Sequence, residues 1–225
     1  LYTQKRGGVG NKIKLDKDEY VVSSTSVNNN EVVMFFTNLG NYYHANAANL
    51  TIDQKTPIEL LFTPQNGEIV YAITSTSKKE TKQFIVFFTK NGYIKKSHFS
   101  EYNVKRGGGA KAIALDPNDE IASVQFTNEE KVGILSEEGN FLLVETADIR
   151  PIGRVAKGIK GIKLNPGDAV SNARTIPNNY TGIISISGGG LFKKTEAKDF
   201  VVQGKNTKGS KLQKVNDGDF MADFL

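Results

Sequence analysis

The chain has 225 residues, of which 38% are hydrophobic and 24% charged, with a formal net charge of +5 and a pI of about 9.2. It contains no cysteine, which excludes disulfides, thiolate metal sites and a cysteine nucleophile. No apolar run reaches the roughly 18 residues that a membrane-spanning helix needs, so we expect a soluble chain. Because it begins with Leu1 and shows no signal-peptide pattern, we expect a segment of a longer polypeptide.

An acidic turn recurs about every fifty residues. Its carboxylates belong to Asp18, Glu68, Asp119, Asp168 and Asp219. A fixed period of this size is typical of repeat architectures, in which each unit buries its apolar face against its neighbours. We therefore expect one repeat domain over residues 1–225, with repeats at approximately 1–50, 51–103, 104–150 and 151–200 and a partial repeat at 201–225. The acids themselves are interpreted as turn-capping groups, because such side chains bond the backbone of their own turn.

Each of the first four repeats continues into an apolar strand, a glycine turn and a second strand. The turn glycines are Gly40, Gly92, Gly139 and Gly190. Segments such as TNLGNYY and TKNGYIK place glycine or asparagine where a tight hairpin needs a positive φ. Two further short strands are expected around each acidic turn, for example at residues 160–164 and 169–173. Four strands per repeat predict an all-β, propeller-like disc of four-stranded antiparallel blades.

The two halves of the repeat do not occur equally often. There are five acidic turns but four glycine hairpins, and the chain stops at Leu225, soon after the fifth acidic turn. Either the two ends meet to complete one shared blade, or a last half-blade is left out. The sequence thus predicts about five to six blades, with a repeat of about 50 residues.

A glycine-rich basic segment precedes most of the acidic turns. The first, third, fourth and fifth basic loops are QKRGGVG at residues 4–10, KRGGGAK at 105–111, GRVAKGIK at 153–160 and GKNTKG at 204–209. The second repeat, around residues 53–55, lacks such a loop. Glycines allow close approach of the backbone, and lysine and arginine neutralise phosphates. Recurrence once per blade predicts a basic rim that binds duplex DNA without reading its sequence.

These segments resemble the C-terminal domain of the A subunit of the bacterial type IIA topoisomerases, DNA gyrase and topoisomerase IV. The resemblance extends over the hairpin segments FTNLGNYYH, FTKNGYIKKS and FKKTEAKDF and the segment GRVAKGIKGIKLNPGDAV. Residues 4–10 are similar to the seven-residue box of the gyrase A subunit, QRRGGKG, with Lys5 a conservative change and Val9 in place of a basic residue. The resemblance implies a β-pinwheel of four-stranded blades.

The resemblance also implies a function. The domain would bind and bend or wrap duplex DNA around its basic rim and so support ATP-dependent supercoiling or another change of topology. It would be a non-catalytic part of the enzyme, holding no cofactor or metal itself, while the holoenzyme uses ATP and Mg²⁺. Its partners would be the rest of the A subunit, the ATPase B subunit, and double-stranded DNA, in the bacterial cytoplasm at the nucleoid and without a membrane.

Two alternatives remain open. Because Val9 removes one phosphate contact from the first basic loop, a topoisomerase IV-type domain that docks DNA for decatenation or relaxation is the first of them. A propeller that serves as a protein-interaction scaffold, with its charge only keeping the disc soluble, is the second.

The predicted DNA-binding residues are those of the basic loops and of two lysine pairs that follow hairpin glycines. They are Gln4, Lys5, Arg6, Gly7, Gly8, Gly10, Lys12, Lys95, Lys96, Lys105, Arg106, Lys111, Arg154, Lys157, Lys160, Lys193, Lys194, Lys205 and Lys208. Because side chains alternate along a strand, one lysine of each adjacent pair is expected to face outward. No catalytic or metal-binding residue is expected. The aromatic residues after the hairpin turns are expected to pack in the core rather than stack on bases: Tyr42, Tyr43, Tyr93 and Phe141.

Overall fold

The computed structural model describes residues 15–17, 20–50, 55–75, 83–102, 109–128 and 130–225. The strands are β1 (Val32–Thr37), β2 (Asn41–Asn46), β3 (Val70–Ser75), β4 (Phe84–Thr89), β5 (Tyr93–His98), β6 (Ala110–Lys111), β7 (Ile121–Thr127), β8 (Lys131–Ser136), β9 (Asn140–Glu145), β10 (Ile159–Lys160), β11 (Val170–Ile176), β12 (Gly182–Ser187), β13 (Phe192–Glu196), β14 (Ser210–Lys211) and β15 (Met221–Phe224). Short 3₁₀ helices cover Ala47–Asn49, Ile58–Leu60, Phe99–Tyr102, Thr146–Asp148 and Ala197–Asp199. Within these ranges, no helix has the length and apolar character needed to cross a membrane.

The strands form antiparallel sheets with the orders β3-β1-β2-β6, β10-β5-β4-β7, β11-β8-β9-β14 and β13-β12-β15. The predicted all-β class with four-stranded antiparallel sheets is confirmed. The described part of the chain accounts for four sheets, the last with three strands.

Each four-stranded sheet draws its strands from three consecutive repeats. In the second sheet, the hairpin β4–β5 belongs to the second repeat, β7 to the third and β10 to the fourth. The strands on either side of an acidic turn therefore lie in different sheets, since β10 pairs with β5 whereas β11 pairs with β8. The prediction that both belong to one blade is wrong. At the turns of Asp119, Asp168 and Asp219, the chain passes from the edge strand of one sheet to an edge strand of another.

The chain divides into two compact units. The first consists of Leu1–Thr81 and Asn103–Ala112, and the second of Lys82–Tyr102 and Ile113–Leu225. The sheet that contains β1 belongs to the first unit, and the other three sheets belong to the second.

The core of the first unit is built on one face of β1 and β2. Phe35 of β1 and Tyr43 of β2 both contact Phe62, with ring centroids 5.1 Å and 4.3 Å apart. Tyr42 and Tyr43 are 1% and 4% exposed, which confirms that these tyrosines pack in the core. The apolar run of β1 thus supplies the buried surface of this sheet.

In the second unit, successive sheets pack face to face. Val86 and Phe88 of β4 share a buried cluster with Val132 and Ile134 of β8. On the other face of that third sheet, Phe141 and its neighbours pack with Met221 and Phe224 of β15. The strand β7 packs against β11, and β11 against β15, so these strands lie at one edge of their sheets. The two-residue strands β10 and β14 lie at the opposite edge, which we call the short-strand edge.

The same turn chemistry recurs in every hairpin. In the second sheet, the Gly92 N–H donates to the Thr89 carbonyl at 2.9 Å, and the Thr89 hydroxyl accepts the Tyr93 N–H at 3.2 Å. The glycine has φ of 81°, as the turn signal predicts. Equivalent hydroxyls belong to Thr37, Ser136 and Ser187. These buried hydroxyl groups fix the hairpin turns that face the acidic turns.

The acidic turns cap the hairpins. The carboxylates of Asp119, Asp168 and Asp219 accept the N–H of the next residue and the N–H of the residue before a hairpin glycine. The two kinds of contact measure 2.8–3.0 Å. The turn-capping interpretation is confirmed for these acids. The cap also joins each of these turns to the hairpin of the sheet that contains the strand after the turn.

In the first unit, the longer side chain of Glu68 takes this place and reaches deeper into the sheet. Its carboxylate accepts hydrogen bonds from the Asn41 amide at 2.9 Å, the Tyr43 hydroxyl at 2.6 Å and the Gln65 N–H at 2.7 Å. The Thr37 hydroxyl also donates to it, at 2.5 Å. Burial alone would raise the pKa of Glu68, but these four hydrogen bonds hold the pKa below its usual 4.5.

Candidate nucleic-acid interface

Part of the predicted interface lies outside the described residues. This part consists of Gln4, Lys5, Arg6, Gly7, Gly8, Gly10 and Lys12 of the first repeat and Lys105 and Arg106 of the third. Their contact with DNA stays a prediction. The fourth and fifth basic loops are described in full, and both lie in the second unit.

Two segments of the second unit carry basic residues and no acidic ones. They span residues 149–167 and 200–216 and contain the fourth and fifth basic loops. Their basic residues are Arg150, Arg154, Lys157, Lys160 and Lys163 in the first segment, and Lys205, Lys208, Lys211 and Lys214 in the second. Because these segments include β10 and β14, the basic charge is concentrated at the short-strand edges of two successive sheets.

Main-chain contacts hold the fourth basic loop against the second sheet. The Arg154 N–H donates to the Glu101 carboxylate at 2.8 Å, and the Ala114 N–H donates to the Ala156 carbonyl at 3.3 Å. Just before the loop, Ile152 bonds the β5 backbone at Lys96, at 2.9 Å. The loop is therefore folded onto β5 and the following 3₁₀ helix rather than extending into solvent.

Lys95 and Lys96 contribute to this anchoring from inside the protein. They are only 0% and 2% exposed, so the prediction that one of them faces outward is wrong. The Lys95 ammonium donates to the Tyr102 hydroxyl at 3.1 Å and to the Arg154 carbonyl, whereas the Lys96 ammonium donates to the Thr146 carbonyl at 2.7 Å. Both faces of β5 are covered by later segments of the chain. Neither ammonium lies at the surface where a phosphate would meet it.

The burial of Lys95 predicts a pH-dependent stability. Burial, only partly opposed by the charge of Glu101, lowers the pKa of Lys95 from 10.5 to about 7. Between these values the unfolded chain binds a proton that the folded chain does not, so stability rises with pH from about 7 towards 10. We expect this rise in urea unfolding of the wild type and expect Lys95→Met to abolish it. As a control, Lys131→Met, at a partly buried lysine paired with Glu145 at 3.3 Å, is expected to keep the rise. An identical pH dependence in wild type and Lys95→Met would contradict this assignment.

The side chains of the fourth basic loop gather around Tyr93. The Lys157 ammonium lies 4.4 Å from the Tyr93 ring centre and 2.5 Å from an oxygen of Asp116. The Lys160 ammonium lies 4.8 Å from the same ring and donates to the Asn91 carbonyl at 2.7 Å. The hydrogen bond to Asp116 raises the pKa of Lys157, which therefore stays charged. Phe141 is buried, as expected, whereas Tyr93 is only half-buried and lies beneath these two ammonium groups rather than in the core.

The lysines of the fifth basic loop are more exposed. Lys205 donates to the Asp148 carbonyl at 3.2 Å, and Lys208 donates to the Asn165 side-chain oxygen at 2.7 Å. Lys211 donates to the Glu138 carbonyl. Each of these acceptors is a neutral oxygen, so the contacts orient the ammonium groups without neutralising their charge.

Lys211 belongs to a position that recurs in three repeats. Lys111, Lys160 and Lys211 each donate to a carbonyl in a hairpin turn. Lys111 and Lys160 are among the predicted DNA-binding residues, but Lys211 is not. The signal for it was present, because each of these lysines stands eight residues before a capping acid.

The second predicted pair, Lys193 and Lys194, lies on β13. Both side chains are exposed, because β13 is at the edge of the three-stranded sheet. Lys193 donates to the Leu212 carbonyl at 2.6 Å, and Lys194 pairs with Glu196 at 3.1 Å. Within the described ranges, no group of acidic or histidine side chains has the arrangement of a metal site.

Comparisons with known proteins agree with this architecture. The family model of the DNA gyrase C-terminal domain, beta-propeller, matches residues 3–28, 83–128, 134–177 and 183–225. The DNA gyrase A subunit of Helicobacter pylori (strain ATCC 700392 / 26695) is 32% identical over 216 residues, covering 92% of this chain and 26% of that protein. The DNA gyrase A subunit of Mycolicibacterium smegmatis (strain ATCC 700084 / mc(2)155) is 29% identical over 216 residues, covering 92% and 25%. The chain thus spans about a quarter of the length of these relatives.

Solved structures show the same fold. The C-terminal domain of DNA topoisomerase IV superposes with a TM-score of 0.81 at 21% identity, covering 88% of this chain and 64% of that one. The Escherichia coli ParC C-terminal domain gives 0.72 at 16% identity, covering 88% and 81%. The DNA gyrase A C-terminal domain gives 0.60 at 18% identity, covering 99% and 92%.

Proposed function

Because the chain belongs to the DNA gyrase C-terminal domain family, we propose that it binds duplex DNA independently of sequence along the short-strand edge of its second unit. The DNA would bend or wrap along this edge and so support a change of DNA topology by a type IIA topoisomerase. The first basic loop, similar to the gyrase box, would add contacts in the same way.

One observation carries this proposal. Residues 149–167 and 200–216 hold nine basic side chains and no acid, and they include the short strands of two successive sheets. The exposed ammonium groups of Lys205, Lys208 and Lys211 are held by neutral oxygens, which leaves their charge available to phosphates. Contacts of this kind go to the DNA backbone, so they carry no direct information about base sequence.

The free energy of the phosphate contacts is large enough to bend the duplex. Each phosphate contact contributes roughly eightfold to affinity at about 0.1 M salt through release of counterions. Bending a 20–30 base-pair duplex costs on the order of 1–6 kcal/mol. Four or five such contacts are therefore enough to offset the bend, and a curved path brings more phosphates to the edge.

The wider role follows from the relatives. They are named as the A subunit of DNA gyrase, and the chain spans about a quarter of their length. We place DNA cleavage and the use of ATP and Mg²⁺ in the rest of the enzyme, with no cofactor and no catalytic residue in this segment. Its partners would be the remainder of the A subunit, the ATPase B subunit, and duplex DNA, in the bacterial cytoplasm at the nucleoid.

A topoisomerase IV-type role is the second candidate. The first basic loop carries Val9 where the gyrase box has a basic residue. With one phosphate contact fewer, the domain would dock DNA for decatenation or relaxation rather than wrap it.

A nicked plasmid religated in the presence of the domain distinguishes these roles. We expect a shift in linking number that grows with the ratio of protein to DNA, because a wrapped path traps writhe. Binding without a shift would favour the docking role. Absence of any binding would instead point to a protein-interaction scaffold and would contradict the proposal.

A further inference from the structure

A lysine contact with the acidic turns recurs in the described residues. In three places a lysine contacts the first residue of the preceding repeat's acidic-turn segment, two or three positions before the repeated acid in sequence: Lys55 with Asp16 at 3.1 Å, Lys157 with Asp116 at 2.5 Å, and Lys208 with Asn165 at 2.7 Å. The second repeat, which has no basic loop, thus keeps this one lysine. We call each contact a loop–turn latch.

The two latches of the second unit are structurally equivalent. The main-chain carbonyls of Asp116 and Asn165 each accept the N–H of the capping acid three residues later, at 3.1 Å. Lys157 and Lys208 each stand three residues before the lysine of a short strand. The same turn position, with the same main-chain hydrogen bond, is therefore occupied by aspartate in one turn and by asparagine in the other.

The chemistry of the two latches differs in where the negative charge lies. Asp116 places a carboxylate directly on the Lys157 ammonium, and the two side chains are 40% and 41% exposed. Asn165 offers Lys208 a neutral oxygen, while its own amide donates to the Glu138 carboxylate at 2.6 Å. The hairpin position of Glu138 is occupied by Asn91 in the other sheet. In the fifth loop the turn residue is the amide Asn165 and the hairpin residue is the acid Glu138, whereas in the fourth loop the equivalent positions hold the acid Asp116 and the amide Asn91.

This difference affects how each loop meets a phosphate. A phosphate that approaches Lys157 competes with the Asp116 carboxylate and is repelled by it. At Lys208 the phosphate displaces only the neutral side-chain oxygen of Asn165. The carboxylate of Glu138 is held by the Asn165 amide. Since both sites are at the surface, the cost of breaking the direct ion pair is that of an exposed salt bridge.

We infer that the first residue of an acidic turn sets the DNA affinity of a basic loop that contacts it, with Asp116 weakening the fourth loop and Asn165 leaving the fifth at full strength. The inference rests on the proposed DNA binding. Two equivalent positions of one fold thus differ in their effect on the same ligand.

Charge-conserving swaps test it. Asp116→Asn with Asn91→Glu moves the carboxylate off Lys157, and Asn165→Asp with Glu138→Asn moves it onto Lys208, with no change in net charge. We expect the first swap to raise, and the second to lower, the affinity for a labelled random duplex by about two- to fivefold, the equivalent of a surface ion pair. Asp116→Asn alone is expected to raise affinity as well.

The results distinguish the effect of the turn residues from DNA binding itself. If the wild type binds the duplex and both folded swaps bind as it does, the inference is overturned while the proposed function stands. If the wild type does not bind duplex DNA, the proposed function fails and takes the inference with it. Circular dichroism verifies folding, and each residue introduced at a turn already occupies the equivalent turn of another repeat.

Discussion

Replacing Lys205, Lys208 and Lys211 together with alanine is expected to weaken duplex binding by roughly 10²–10³-fold at about 0.1 M salt. The three ammonium groups are exposed and lie in and beside the fifth basic loop, at the short-strand edge of the third sheet. Their hydrogen-bond acceptors are neutral oxygens, so each is expected to act as a full positive charge. The loss should be the same for unrelated DNA sequences, because phosphate contacts do not read bases.

Fluorescence anisotropy with a labelled duplex of about 20–30 base pairs measures this loss, and the salt slope should fall by about 0.9 for each lysine removed. The matched control is Lys90→Ala with Lys131→Ala, because these lysines already pair with Glu120 at 2.7 Å and Glu145 at 3.3 Å. The control is expected to weaken binding far less for each charge removed. Equal losses per charge would mean that net charge, rather than the short-strand edge, governs binding.

Replacing Glu68 with alanine is expected to destabilise the first unit by about 2–4 kcal/mol, because a buried donor left without its acceptor costs about 1–3 kcal/mol. The carboxylate accepts four hydrogen bonds, and its removal leaves the buried Tyr43 hydroxyl and Asn41 amide without this acceptor. Burial and the nearby Glu68 raise the pKa of Tyr43 to about 12, so the neutral hydroxyl donor persists through ordinary pH.

Hydrogen exchange read by mass spectrometry measures this effect in β1 to β3 separately from the second unit. Because folding lowers the pKa of Glu68, the ionised form stabilises the unit fully above the usual 4.5, and this stability is lost as pH falls below it. Glu68→Ala should remove that part of the acid sensitivity. Glu120→Ala, at an exposed ion pair of the second unit, is the control. Unchanged protection in β1 to β3 of Glu68→Ala would show that the network is not needed.

Local signals in the sequence predicted the turns well. The hairpin glycines Gly40, Gly92, Gly139 and Gly190 all have positive φ, and the capping acids follow residues that do so too. Positive φ and turn capping depend on a few neighbouring residues, so the sequence displays them directly. The hydroxyl three residues before each glycine was also visible, and only a comparison between the repeats was needed to find it.

The pairing of the short strands could not be predicted in the same way. β10 and β14 are two residues long, and a segment of that length has no periodicity that assigns it to a sheet. Their partners are hairpins that begin some seventy residues earlier in the chain. Only the packing of the sheets determines that one repeat supplies strands to the sheets of the two preceding repeats.

The burial of Lys95 and Lys96 was unpredictable for a related reason. Alternation along β5 correctly places the two side chains on opposite faces, but it does not reveal that later segments cover both faces. Those segments reach the strand from about fifty residues downstream, through the Arg154 and Thr146 carbonyls. From sequence alone, a buried lysine that donates to a distant carbonyl cannot be distinguished from an exposed lysine that binds a phosphate.

The salt dependence of duplex affinity shows whether the short-strand edge binds phosphates. With about five lysines of the short-strand edge contacting phosphates, the affinity of the wild type for a random duplex should fall roughly 10²–10³-fold between about 50 and 200 mM salt. The logarithmic slope should lie near −4 to −5 and be the same for unrelated sequences. A fall of less than about threefold over this range would contradict a phosphate-binding edge.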